Sequence, residues 1–156
     1  MPLAPSLPEL LQQETELQLP RFNHDDAWQL GSLLRTLAAA QQAPVAIDIH
    51  AYGQQLFGCA LEGSSQDNLH WIARKRNSVL RFGHSSLYLG EYQRGKGREF
   101  EQQVHIDASQ YCAHGGSFPL RLKDGGLIGA VTVSGLPQVE DHLLVVSALR
   151  QLLASR

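Results

Sequence analysis

The stretch Tyr111–His142, YCAHGGSFPLRLKDGGLIGAVTVSGLPQVEDH, constrains the fold more than any other part of the chain. Two short apolar segments, Ser117–Leu122 and Leu127–Val133, are separated only by Lys123-Asp124-Gly125-Gly126. An Asp-Gly-containing turn between two such segments predicts a β-hairpin, because glycine supplies the positive φ that a tight reversal needs. A His114-Gly115-Gly116 turn leads into the first strand. After Ser134-Gly135, Pro137 predicts the opening of a helix, where its missing N–H is no loss. Asp141 and His142 then fall near the start of that helix. One segment therefore joins a glycine turn, a paired strand and a helix carrying Asp-His.

The rest of the chain supplies a second hairpin and further helices. Val45, Ile47 and Ile49 alternate with Ala46, Asp48 and His50, which predicts a strand over Val45–His50. Tyr52-Gly53 turns it back into Gln54–Leu61. Before it, Ser6, Pro8 and Glu9 mark a capped helix to about residue 17, and Asn23 caps a second with the stripe Ala27, Leu30, Leu34, Leu37. Leu17–Phe22 is at best an edge strand. Asn68–Phe82 predicts a helix with Ile72, Val79 and Phe82 on its apolar face and Gly83 as its stop. Ser85-Ser86 restarts the chain as a short helix ending near Gly90 to Gly95. Phe100–Gln110 reads as irregular or weakly helical. Val139–Leu153 predicts a helix facing the core through Leu143, Val146, Leu149 and Leu153.

The order α-α-β-β-α-α-β-β-α predicts an α+β fold, a profilin-like sandwich with a central antiparallel sheet covered by helices. A chain of 156 residues fits one domain, 1–156, with residues 1–22 as a peripheral N-terminal helix and extension. A net charge of -2 gives no reason to expect nucleic-acid or anionic-membrane partners. No apolar run approaches membrane-spanning length, and no basic residue precedes Arg21, so neither a membrane span nor a secretory signal is expected. Two cysteines far apart, Cys59 and Cys112, fit a reduced, cytoplasmic protein.

Several residue groups carry chemistry. The imidazole of His114 can ligate a metal or haem iron, and the amides of Gly115 and Gly116 can meet an anion; a plain glycine turn with a solvated histidine is the competing reading. Asp141-His142 can supply a carboxylate and an imidazole, or simply an acidic first helical turn. Lys75 interrupts an apolar helical row. An ammonium carried into such a row needs a compensating anion, which can be an internal carboxylate such as Asp141 or the acid group of a ligand. Arg74 and Arg81 lie beside it and can join a clamp on a carboxylate or phosphate, or snorkel over the apolar face. Gly90–Gly97 mimics a phosphate-binding P-loop but has Gly97 where a Ser or Thr would hold magnesium, and no strand precedes it.

Trp71, Arg74, Lys75, Val79, Phe82 and Ser85-Ser86, followed by His114-Gly115-Gly116, Phe118-Pro119, Ile128-Gly129, Val133-Ser134-Gly135-Leu136 and Asp141-His142, resemble the uncharacterised-protein branch of the haem-degrading-domain superfamily. That superfamily includes HbpS-like and GlcG-like proteins and the C-terminal domain of PduO-type adenosyltransferases. The resemblance runs from the second predicted helix to the end of the chain. It implies a profilin-like fold and assembly into a homo-oligomer, and it makes haem a candidate cofactor. Two functions follow as expectations. One is binding of a small anionic ligand, haem included, in a pocket lined by Arg74, Lys75, His114, Gly115, Gly116, Asp141 and His142. The other is an oligomeric protein-interaction module with no cofactor of its own.

Overall fold

A computed structural model describes residues 2–156. Its elements run α1 (Leu7–Glu16), α2 (His24–Ala40), β1 (Ala46–Ala51), β2 (Gln54–Ala60), α3 (Gln66–Phe82), α4 (Ser86–Gly95), a single 3-10 turn (Phe100–Gln102), β3 (Ser117–Leu122), β4 (Gly126–Ser134) and α5 (Gln138–Ala154). Both hairpins lie in one four-stranded antiparallel sheet of order β2-β1-β4-β3. The β1–β2 turn has two left-handed residues, Tyr52 (φ 55°) and Gly53 (φ 80°), the combination whose twist matches that of the flanking strands. Leu17–Phe22 forms no strand of its own. It contributes one parallel bridge, Leu19 to Leu122, along the outer edge of β3.

The two faces of the sheet differ in chemistry. Ile47, Ile49, Phe57, Phe118, Val131 and Val133 point to one side, where α2 and α5 cover them in a continuous apolar core. Gly31 lets α2 approach closely, since a Cβ there would run into the Phe57 ring. The α5 stripe is rotated from the one expected. Leu144, Val145, Ala148, Leu149 and Leu152 are buried with Val146, while Leu143 and Leu153 are only half-buried. The shift follows from α5 packing on the sheet and also against the flank of α2, so that it buries a wider arc than a single three-four row.

The opposite face carries Asp48, Ser117, Thr132 and Ser134, all buried, and α3 lies over it. Buried polar groups need partners, and here they find them across the layer. Arg76 donates to Asp48 at 3.0 Å, Gln55 donates to the other Asp48 oxygen at 2.7 Å, and Ser117 and Thr132 share a hydrogen bond of 2.8 Å. This polar interlayer positions the candidate site at the end of the sheet where β4 leaves it.

Candidate ligand-binding cleft

Asn68 stands in the first turn of α3. Its side-chain oxygen accepts the Ser65 N–H at 2.9 Å, and its amide donates to Ser134 Oγ at 3.2 Å, which ties the helix start to the end of β4. Two turns on, Lys75 is 3% exposed. Its Nζ donates to the Val133 carbonyl at 3.0 Å and to Asp141 Oδ2 at 3.3 Å. Asp141 reaches back from the first turn of α5 to accept the amides of Gly135 (3.3 Å) and Leu136 (3.0 Å). The carboxylate thus holds the strand-to-helix corner together while it faces the ammonium.

Glycine is required twice beside this pair. Gly116 has φ 133°, and a Cβ there would come within 2.8 Å of Lys75 Nζ and 3.1 Å of Asp141 Cβ. At Gly115 a Cβ would run into the backbone carbonyl of Gln138, whose side-chain Oε1 accepts the Gly115 N–H at 2.9 Å and closes the neighbouring wall. Above the pair opens a cleft of about 220 Å³ walled by Asn68, Trp71, His114, Ser134, Leu136 and Gln138, with Lys75 and Asp141 at its floor.

The mouth of the cleft is a stack of rings and charges. The His114 imidazole meets the Trp71 ring edge-to-face with centroids 5.1 Å apart, and the Arg74 guanidinium lies over the indole, 4.2 Å from its centroid. His114 Nε2 lies 3.8 Å from Glu101 Oε1, and Glu101 also accepts the Ala113 N–H at 2.9 Å.

Burial dominates the electrostatics. It pushes the Lys75 amine down, against the pull of the Asp141 charge. It pushes the Asp141 carboxyl up to about 6, against the Lys75 charge and the Leu136 and Gly135 amides. At about 6 the Asp141 carboxyl is mainly ionised at neutral pH, and its contact with Nζ favours the charged form of Lys75 against burial. The His114 imidazole is pushed down, first by burial, with Lys75, Arg94 and Arg74 adding to the effect and Glu101 opposing it. Cations and a carboxylate thus act on one imidazole at the mouth of the cleft.

The structure thus brings Lys75, Asp141 and His114 to one cleft, with Gly116 against the floor and Gly115 behind a wall. Arg74 is held on Trp71 at the rim. His142 is elsewhere: it is fully buried, its Nε2 is 2.8 Å from Gln13 Oε1 of α1, and its ring packs near Phe118. Its inclusion in the pocket is corrected by simple geometry, since consecutive helical residues point about 100° apart. The amides expected to receive an anion are also partly committed, Gly115 to Gln138. Asn68, Ser134 and Gln138 were not singled out as site residues; the Val-Ser-Gly-Leu run held Ser134, but nothing in spacing joins Asn68 to it across 66 positions.

This fold and cleft define an α+β protein with a helix-covered antiparallel sheet and a polar site at one sheet end. The chain belongs to the HbpS-like family, whose model, described as haem degrading protein HbpS-like, matches residues 22–150. A UPF0303 protein of Psychromonas ingrahamii is 56% identical over 96% of this chain and 94% of the relative. One from Streptomyces coelicolor is 57% identical over 96% of this chain and 95% of its own length. Among solved structures, the Ybr137w protein superposes with a TM-score of 0.87 at 36% identity, covering 96% of this chain and 88% of that one. The PduOC:heme complex shares the fold with a TM-score of 0.69 at 19% identity, over 83% of this chain and 93% of that one. No helix among the described residues is long and apolar enough to cross a membrane.

Proposed function

We propose that this protein binds a small anionic ligand in the cleft above Lys75 and Asp141. The observation that carries this reading is a buried ammonium at the floor of an open cleft, with one N–H not taken by the protein. Lys75 Nζ has three protons and two protein acceptors, Val133 and Asp141. The remaining donor is available to a carboxylate or phosphate oxygen, with Asn68 and Ser134 as neutral partners on the wall. Asp141 faces Lys75 and Glu91 pairs with Arg94 at 2.9 Å, whereas the Arg74 guanidinium on Trp71 has no carboxylate partner among the described residues.

Size separates the candidate ligands. Drug-sized molecules usually occupy about 300–1,000 Å³, so the cleft encloses a compact acid, whereas haem would lie across its mouth. In that arrangement His114, kept neutral by burial and neighbouring cations, would face the iron, and Arg74 and Lys75 would meet the propionates. Haem would supply iron chemistry; the chain itself contributes binding and charge. The family description and the heme complex of a neighbour of the same fold support testing it.

Native mass spectrometry of untreated protein tests the reading, since it reports bound mass and subunit count together. A small bound acid, or a Soret band that shifts on His114→Ala, supports it. Protein that binds neither malonate, phosphate nor haem in titration refutes it. The reading includes a homo-oligomer, supported by Trp28 at 66% and Leu69 at 53% exposure and by an edge strand β2 without a charged residue or proline to guard it. The same surfaces favour the second reading, a protein-interaction module, should no ligand be found. Free thiols at Cys59 and Cys112 fit a cytoplasmic setting.

A further inference from the structure

Seven residues beyond Lys75, at the other end of α3, lies a second recess of about 340 Å³, lined by Phe82, His84, Tyr88, Tyr92, Phe100 and His105 among others. Its walls are aromatic and mutually braced. Phe82 meets Phe100 edge-to-face with centroids 5.7 Å apart, His84 lies 4.8 Å from Tyr88, and Tyr88 lies 6.0 Å from Tyr92. Such a lining offers ring faces and edges to a flat guest.

One polar group in it is oriented. Glu14 of α1 is 8% exposed, and one of its oxygens accepts the Ser85 N–H at 3.1 Å. Its other oxygen is 2.9 Å from His84 Nδ1. A carboxylate only accepts, so the hydrogen of this contact sits on Nδ1, and the neutral imidazole then keeps its lone pair on Nε2. No protein group among the described residues hydrogen-bonds that Nε2. The His84 side chain is 40% exposed, so this carboxylate-fixed imidazole presents a free acceptor that solvent or a guest in the aromatic recess can reach.

We propose that this recess is a second binding site, for a planar aromatic heterocycle that stacks among Tyr88, Tyr92 and Phe100 and donates a ring N–H to His84 Nε2. Its volume, near the lower end of ligand-pocket sizes, suits a fused two-ring system. The site shares no residue with the Lys75 cleft, so the two stand or fall separately.

Indole and 1-methylindole are matched probes: nearly the same shape, with and without the N–H. Titration of the full chain by NMR, at a pH where histidine is neutral, reads both affinity and location. The expected result is saturable shifts at His84, Tyr88 and Phe100, none at Trp71 or His114, and about tenfold tighter binding of indole, the scale of one hydrogen bond. His84→Phe keeps a ring but removes the acceptor, and it should erase the difference between the probes. If that variant fails to fold, the wild-type comparison alone decides. Equal affinities, shifts outside the recess, or no saturable binding at millimolar probe, as when another copy of the chain covers the recess, would overturn the proposal.

Discussion

Lys75 and His142 show how differently two buried cationic residue types can be handled. Burial pushes the Lys75 amine down, but Asp141 at 3.3 Å favours its charged form; His142 has no carboxylate partner, and burial pushes its imidazole down to about 4. Removing one member of a buried pair strands the other, so Lys75→Met should destabilise the fold at pH 7 by roughly 3 kcal/mol. The penalty should shrink as pH falls towards about 6, because without the Lys75 charge Asp141 takes up its proton at higher pH than it does in wild type; chemical denaturation at two pH values checks both. The linkage signs of Asp141 and His142 are opposite. A carboxyl raised above its unfolded value favours folding at low pH, and that contribution is lost as pH rises from the ordinary 3.8 through about 6. A histidine depressed below 6.5 contributes stability at neutral pH that is lost as pH falls towards about 4. In wild type the two largely cancel across that window. His142→Gln removes one of them, so from pH 7 to pH 4 the variant should gain about 3 kcal/mol relative to wild type, the cost of holding an imidazole at about 4 instead of 6.5. A difference that stays constant with pH would show that His142 is not buried neutral. The Lys75 anomaly was legible in sequence, since an ammonium in an apolar row demands an explanation. That Asp141 supplies it was one of two open readings, because pairing across 66 positions is decided by topology. The direction of His142 was misjudged for a related reason: adjacency in sequence does not make a shared site.

At the scale of elements, both hairpins and all five helices follow local rules of alternation, capping and turn residues. The sequence did not reveal that one sheet face is polar. Asp48, Thr132 and Ser134 alternate with core residues and read as solvent-facing, yet α3 covers them and satisfies them with Arg76, Asn68 and neighbouring hydroxyls. Helix approach on the other face depends on a missing Cβ. Alanine at a helix interior usually gains up to about 1 kcal/mol over glycine. At Gly31 the added methyl meets the Phe57 ring, and overpacking of that kind costs about 1–3 kcal/mol. Gly31→Ala should therefore leave helicity unchanged and lower stability by about 1 kcal/mol or more, and Phe57→Leu in the same chain should recover part of the loss. A stabilised Gly31→Ala protein would mean that α2 sits farther from the sheet.

For the whole molecule, the fold places two unlike recesses on one helix: a charged cleft near the start of α3 and an aromatic recess near its end. Their separation makes it natural for one to be read without disturbing the other. The aromatic recess was not legible in the sequence: Tyr88 and Tyr92 share a face of α4, but Phe82, Phe100 and His105 come to them from the end of α3 and the irregular stretch after α4, a meeting that only topology decides. Exposed Trp28 and Leu69 and the unguarded β2 edge predict self-association. Light scattering at micromolar concentration should give a multiple of the 17.2 kDa subunit mass, and a monomer mass would contradict it. The central claim, an anion seated over Lys75, is most directly tested through His114, whose imidazole reports the charge at the cleft mouth. Its NMR titration should be recorded with and without saturating malonate or phosphate. An anion that offsets Lys75, Arg74 and Arg94 must raise the pKa of His114, and by reciprocity its affinity must increase as pH falls through that titration. The account predicts an upward shift that Arg74→Gln diminishes. A His114 titration that neither anion moves would contradict it.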